Sequence, residues 1–599
     1  MVSRQHLLRR LRGVALGLFP VALLAGCVSL PNGGPVSSYA ITQGPGGQSQ
    51  PYLQSIAQPP HAGWSPEDIV EGFLIASASF GARQQVARDY LASSRAWNPG
   101  WSAVVYSNEP NEQPAVFTGK GAKMTATVTI GGSVQAVLSG QGGYAVPSAS
   151  AGGPPGGPLT FQLEKVGGQW RISHAPPYLV LTSYQFQLDY QPRNLYFFDP
   201  TGSVLVPDPV YVPLQTTAAN LMKGLVDDLI LPPADWLSRG TSTAFPRHTT
   251  TIGDITLTGG TAAVNLGGMT AKQATDTTLL EKISAQLLYT LIGSGQSGLA
   301  VQSVELSVNG KPWSPIGSDQ NPVQLQHQSK YSPPSGASNT FYYVDATGNL
   351  LSSDGPQAKA HAVAHIGTGY SQIAVSPDQQ YLAALNDGSL YIGRVGGPLV
   401  KRAGTGYTSM SWDPSDDLWA TSGGQIVMLR GDANANQPQG KPVGVTVLGS
   451  DGTSQNTGPF TALRVAPDGV RVAIISGAAD LNFGAIVTQA GPRVNQELVE
   501  IVLSPFSVSV PGATFTAVTW YGSDNVITLR DPGPELTEYP VDGGTSTSIT
   551  AQPHMSWITA SSGHALIAGL PSGGMVFNDN LSGIWTAVPG AGTSAVYPG

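Results

Sequence analysis

Apolar positions recur at two spacings along the 599 residues, and each spacing predicts its own kind of element. The run SPEDIVEGFLIASASF puts Ile69, Val70, Phe73 and Leu74 on one helical face. Ser65 suits the N-cap, Pro66 the first helical position, and Glu67 and Asp68 the positive end of the helix. A second helical piece, QQVARDYLASS, stops before AWNPGW. The spacing then drops to two. AKMTATVTI, GSVQAVL and LTFQLEKVGGQWRIS read as strands, the last turning at Val166-Gly167-Gly168, with Trp170 and Ile172 alternating against Arg171 and Ser173. RNLYFFDPTGSVLVPDPVYVP follows as a hairpin turning at Asp199-Pro200-Thr201-Gly202, and TTAANLMKGLVDDL as a helix. Gly259-Gly260 joins two further strands. ATDTTLLEKISAQLLYTLIG lines up Leu280, Ile283, Leu287 and Leu291 on one stripe, and VQSVELSVNGKPW ends in a turn at Asn309-Gly310.

Beyond a polar stretch at 314–338 the pattern repeats. YSQIAVSPDQQYLAAL, YTSMSWDPSDDLWAT, FTALRVAPDGVRVAII, FTAVTWYGSDNVITLR and HMSWITASSGHALIAGL each read as strand, turn, strand. Pro377, Pro414 and Pro467 preset the first turn dihedral, Asp378 and Asp468 are placed to bond back to the turn backbone, and Gly469 is free to take φ > 0. Repeats of roughly 40–55 residues fit the four-stranded blades of a β-propeller better than a plain sandwich. The sequence therefore predicts a multi-domain, β-rich chain of two α+β domains followed by an all-β propeller-like domain. The first, helices then a curved antiparallel sheet ending in G-x-W-R-I, resembles the NTF2-like fold. The second, with LYF, AFP, VNL, AQLLYTL and VELSVNG in that order, resembles the GerM domain.

The amino terminus carries different information. Arg4, Arg9, Arg10 and Arg12 precede an apolar run from Val14 to Ala25, of signal-peptide length and short for a final membrane span. It ends in Leu24-Ala25-Gly26-Cys27, a full match to the bacterial lipobox, at the only cysteine of the chain. A thiol is the nucleophile that takes a diacylglyceryl group, and small residues let a peptidase cut between Gly26 and Cys27. Cys27 is thus expected to be S-diacylglyceryl and N-acyl cysteine, with no later segment able to span a bilayer. The expected organisation is signal peptide 1–26, flexible tether 27–60, NTF2-like domain 61–185, GerM-like domain 186–313, linker 314–338 and propeller-like domain 339–599.

Composition agrees with an exported, turn-rich protein. Gly (74) and Pro (48) make up about a fifth of the chain, and charged residues are only 11% against the usual quarter. The net charge is −8 and no basic run follows the signal, which argues against nucleic acid as a partner.

A search for chemistry yields no catalytic set, cofactor or metal site. His361 and His365 stand four apart in HAVAH, but Ala362 occupies the place of a zinc protease's glutamate, and the segment reads as a strand. Asp413, Asp416 and Asp417 in DPSDD lack the glycine and bidentate glutamate of a calcium loop and fall in a repeat turn. GKG or GKP at Gly119, Gly310 and Gly440 lacks phosphate-loop spacing. Trp412, Trp419, Trp520 and Trp557 read as blade core before sugar platform.

The lipobox with VSLPNGGPV after it, the segment from Gly72 to Ser77, the GerM-like order and the terminal repeats together resemble the LpqB family of actinobacterial lipoproteins. The resemblance implies a lipoprotein held on the outer face of the cell membrane by acylated Cys27. It also implies work with the MtrA–MtrB two-component system, through the ectodomain of the sensor kinase MtrB, with effects on envelope and division. Of functional residues it carries over Cys27 alone. The reading is thus a non-enzymatic regulatory binder whose second and third domains offer the contact surfaces. The alternative is an envelope glycan-binding or hydrolytic lipoprotein using the propeller face. A transporter's substrate-binding lipoprotein is a third reading, but expects two α/β lobes.

Overall fold

The computed structural model describes residues 39–40, 53–54 and 58–599, apart from 79–84, 94, 98–101, 109, 148–156, 215–216, 294–298, 315–321, 335–337, 403, 431–441, 455–457, 478, 491–496, 534, 580 and 582. Gly26, Cys27 and the signal sequence lie outside the described residues. Within the stretch expected to be a tether, Tyr39–Ala40 pairs antiparallel with Leu53–Gln54.

The first helix runs Pro66–Ala78. Ser65 and Asp68 cap it reciprocally: the Asp68 amide donates to Ser65 Oγ (3.1 Å), and the Ser65 amide to Asp68 Oδ2 (2.9 Å). Its apolar face buries Ile69, Val70 and Phe73 against two curved sheets. The second helical piece is shorter than its sequence period suggested, Gln85–Asp89. Nor is the sheet purely antiparallel, since Leu179–Thr182 pairs parallel with Ala103–Tyr106. The other sheet curls enough that Phe117, on its outer strand, comes within 6.0 Å of Trp170, ring centre to ring centre.

In the second unit the hairpin Tyr190–Phe198/Leu205–Pro213 packs on the helices Ala218–Ile230 and Thr277–Ile292. Asp276 caps the latter, accepting from the Leu279 amide at 3.1 Å, and Leu280, Ile283, Leu287 and Leu291 are fully buried, as their spacing required. Part of the expected linker belongs to this core. Val323–Gln324 adds to the sheet, and a 3-10 helix over Leu325–Tyr331 buries Tyr331 and Gln328, whose amide donates to Ser284 Oγ at 3.1 Å. Polar composition masked this element because few of its side chains face inward.

The remaining strands form six four-stranded blades. The five sequence repeats are the inner two strands of blades 2 to 6, beginning at Gln372, Tyr407, Phe460, Thr514 and Trp557. Blade 1 is split: Phe341–Val344, Asn349–Ser353 and His361–His365 are completed on the inside by Thr593–Val596 from the end of the chain. Blades 3 and 4 also share their outermost strands, through parallel pairing of Val443–Leu448 with Glu497–Ser509. Alternation along each strand feeds two cores. In Phe341–Val344, Phe341 and Tyr343 pack towards blade 6, and Tyr342 and Val344 towards blade 2. One apolar cluster fills each of the six gaps between blades.

Hydrogen bonds close the same ring at the inner strands. Ser594 Oγ donates to Ser371 O (2.7 Å), Trp412 Nε1 to Ala374 O (3.1 Å), Val465 N to Ser411 Oγ (3.0 Å), Trp520 Nε1 to Arg464 O (3.0 Å), Ala560 N to Thr519 Oγ1 (3.1 Å) and Tyr597 N to Thr559 Oγ1 (3.2 Å). Each bond satisfies a backbone group on a strand edge that no further strand covers.

Candidate functional site

The residues singled out from sequence serve the blades. His361 and His365 lie at the two ends of an outer strand, both exposed. Asp413 is buried and organises its own turn: Oδ1 accepts from the amides of Ser415 (2.8 Å) and Asp417 (3.0 Å), and Oδ2 from Trp419 Nε1 (2.9 Å). Burial, opposed by the Trp419 bond, raises its pKa to about 6. Asp417 is paired with Arg430. Asp378 and Asp468 bond back as expected, Asp378 Oδ1 to the Gln380 amide (2.9 Å) and Asp468 Oδ1 to the Val470 amide (2.9 Å), and Gly469 takes φ +73°. Trp412, Trp419 and Trp520 are buried in blade cores, and Trp557 is partly buried. Gly119 and Gly310 sit in turns at positive φ, whereas Gly440 lies outside the described residues. No group of three or more metal-ligating side chains occurs among the described residues.

Sequence reasoning missed the channel of the propeller. At the end where the Pro-Asp turns lie, a cavity of about 300 Å³ opens between the inner strands. Pro377, Pro414 and Pro467 rim it, Trp412, Trp520 and Tyr597 wall it, and Pro334, from the stretch entering the propeller, reaches its edge. Arg464 is its one charged side chain. Arg464 Nη1 donates to Ser409 Oγ (3.0 Å), Met410 O (3.0 Å) and Leu463 O (2.8 Å). Desolvation lowers its pKa to about 10, with no carboxylate to oppose it. In the sequence Arg464 is one polar residue in FTALRVAPDG, and only the closed ring turns it inward.

A second polar cluster lies where the two smaller units meet the propeller. Arg471 is fully buried, with Nε on Asp468 Oδ2 at 2.7 Å, its guanidinium over Trp520, and Asp524 Oδ1 3.6 Å from Nη1. Asn194 of the hairpin donates to Asp524 Oδ2 (2.8 Å), and Tyr211 to Asp542 Oδ1 (3.2 Å). Beside them Val206, Trp236 and Leu237 pack on Val470, Ala485, Val487 and Val502 of blade 4. Asp208 is buried in the same joint. One carboxylate oxygen accepts from the Ala234 amide (2.8 Å) and the other has no partner, and burial raises its pKa to about 7. Gly142 carries the joint to the first domain. At φ +80° it accepts from the Tyr211 amide (2.8 Å), and a Cβ there would collide with the Tyr211 carbonyl.

Fold and channel define a multidomain β-propeller protein, borne on two smaller α+β domains. Comparison with known proteins agrees across the chain. Residues 59–187 match the lipoprotein LpqB N-terminal domain, 194–314 the sporulation and spore germination (Germane) domain, and 348–598 the lipoprotein LpqB beta-propeller domain. Lipoprotein LpqB of Thermobifida fusca is 28% identical over 96% of this chain and 97% of its own. That of Mycobacterium tuberculosis (strain CDC 1551 / Oshkosh) is 25% identical over 99% of this chain and 100% of its own. The Myceliophteria thermophila Cps50 (Swd1) beta-propeller domain aligns with 40% of this chain and 94% of its own at 11% identity and a TM-score of 0.27, too slight a likeness to bear on the fold. The chain belongs to the LpqB lipoprotein family. No helix among the described residues is long and apolar enough to cross a membrane.

Proposed function

We propose that this lipoprotein is held on the extracytoplasmic face of the membrane by acylated Cys27 and acts without turnover, by binding the ectodomain of an MtrB-like sensor kinase. Through that contact it adjusts an MtrA–MtrB-type system governing envelope and division. The observation that carries the docking role is on the first domain. Val116–Thr118 is an edge strand paired on one side only, with Val116 65% and Phe117 54% exposed. An apolar strand with a free backbone edge is suited to accept an extended segment of another protein. This moves the contact from the second and third domains, where the sequence had it, to the first. Tethering supports the reading: a lipid-held body meets neighbouring ectodomains at an effective concentration on the order of mM, so a weak contact is still occupied.

The test is calorimetry of the acylated chain in detergent micelles with a soluble MtrB-like ectodomain, beside the variants Val116→Lys and Phe117→Ser. Saturable binding, lost in the variants while their circular dichroism is unchanged, supports the proposal. Absence of binding, or hydrolysis of peptidoglycan by the purified chain, overturns it.

A further inference from the structure

One end of the five-stranded sheet in the first domain is basic, in a chain whose net charge is −8. Two turns lie side by side there. Residues 119–124 lead from the edge strand Val116–Thr118 into Thr125–Gly131, and Gly167-Gly168 joins Leu159–Val166 to Gln169–His174. Lys120, Lys123 and Lys165 are exposed and enter no ion pair among the described residues. Val166 beside them is 47% exposed. Gly167 and Gly168, at φ +58° and +81°, make the tip tight, with open space where a Cβ would stand. No Asp or Glu occurs in 58–66, 117–124 or 165–172, and Glu164 stands in register with Arg171. Carboxylates gather instead at the opposite end of the edge strand. Glu67 Oε1 accepts from the Ala115 amide (2.8 Å), and burial together with Glu71, Glu67 and Asp68 raises the Glu112 pKa to about 7. The chain arriving from Cys27 joins the body at the basic end. The Gln58 carbonyl accepts from the Tyr90 hydroxyl (2.7 Å), the Gly63 amide donates to Gln169 Oε1 (2.7 Å), and the exposed His61 ring lies 4.9 Å from the partly buried Trp64. Residues 28–57 reach at most about 100 Å even fully extended, so acylation at Cys27 keeps this end within reach of the bilayer.

We infer that this basic end of the first domain rests on the bilayer that holds Cys27, with Lys120, Lys123 and Lys165 on anionic lipid headgroups and Val166 at the headgroup boundary. The inference rests on the lipid anchor proposed above. An anchor alone limits distance and leaves orientation free. A lysine end and a carboxylate end on one strand fix which way the domain stands, because an anionic surface draws the first and repels the second. The Val116–Thr118 strand then runs up from the membrane surface with its edge turned sideways, open to a neighbouring ectodomain.

The test uses the acylated chain reconstituted in vesicles of phosphatidylcholine, alone or mixed with phosphatidylglycerol. Cys27 is the only cysteine and is taken up by the lipid, so Val166→Cys and, on blade 6, Ile584→Cys each accept a single polarity-sensitive fluorophore; Ile584 is 72% exposed. The label at 166 is expected to shift to the blue with phosphatidylglycerol and to return at about 1 M salt, where the Debye length falls to about 3 Å. The label at 584 is expected to stay as it is in water. Each lysine at an anionic surface is worth about fivefold in the docked population, so Lys120→Gln/Lys123→Gln is expected to lower that population about thirtyfold. A chain that floats with the vesicles while its label at 166 stays water-like overturns the inference and leaves the anchor standing, whereas a chain that does not float overturns both. A blue shift equal in the two vesicles and unmoved by salt or by the lysine variant also overturns the inference, since charge would then not be what orients the domain.

Discussion

Asp468→Ala puts the packing logic of the propeller under direct strain. Asp468 holds Arg471 at 2.7 Å in a site where both side chains are at most 3% exposed, and it also accepts the amides of Val470 (2.9 Å) and Arg471 (2.8 Å). Without it the guanidinium keeps the face of Trp520, the Ser523 carbonyl and a longer approach to Asp524 at 3.6 Å. Stripping one member from a buried ion pair costs about 3–5 kcal/mol, because the remaining charge is left in a poorly polarisable site. At about 2–4 °C per kcal/mol for a unit of this size, the propeller transition is expected to fall by about 6–20 °C. The assay is scanning calorimetry, with near-UV circular dichroism to identify the transition. The double variant Asp468→Ala/Arg471→Met removes the charge and keeps the volume, and is expected to recover most of the loss. A fall of less than about 3 °C in the single variant, or a double variant no better than the single, refutes the reasoning, since the orphaned charge would then not be what costs.

Asp208 ties stability to pH. Its carboxyl ionises near pH 7 when folded and near pH 4 when unfolded, so between those values the folded chain holds a proton that the unfolded chain has lost, and stability falls as pH rises. Asp208→Asn is therefore expected to gain on the wild type from pH 5 to pH 8 in thermal melts, and a gap independent of pH counts against the assignment. Removing residues 593–599 takes away the inner strand of blade 1 and is expected to leave a chain without a near-UV signal from its propeller. A native spectrum would show that ring closure is dispensable. Cys27→Ala is expected to accumulate as an unprocessed precursor lost from its membrane site, and wild-type processing and fractionation would contradict the lipid anchor.

What the sequence determined by itself was local. The Ser65–Asp68 cap, the buried stripe of Leu280, Ile283, Leu287 and Leu291, and the Pro-Asp turns of the repeats all depend on residues a few positions apart, so spacing was enough to read them. The lipobox is legible for the same reason, being recognised by an enzyme as a short extended string. Tertiary structure decided whatever joins distant positions. Five repeats gave six blades because the sixth is assembled from both ends of the domain, Phe341–His365 and Thr593–Val596, and neither piece alone carries the repeat. The 3-10 helix at Leu325–Tyr331 exists because Ser284 and the core above it receive Gln328 and Tyr331, not because its composition asks for a helix. Arg464 shows the limit most plainly. In a strand it is one polar side chain among alternating apolar ones, and only closure of the ring sets it on the channel wall, where Nη1 meets Ser409 and Met410 of the neighbouring blade.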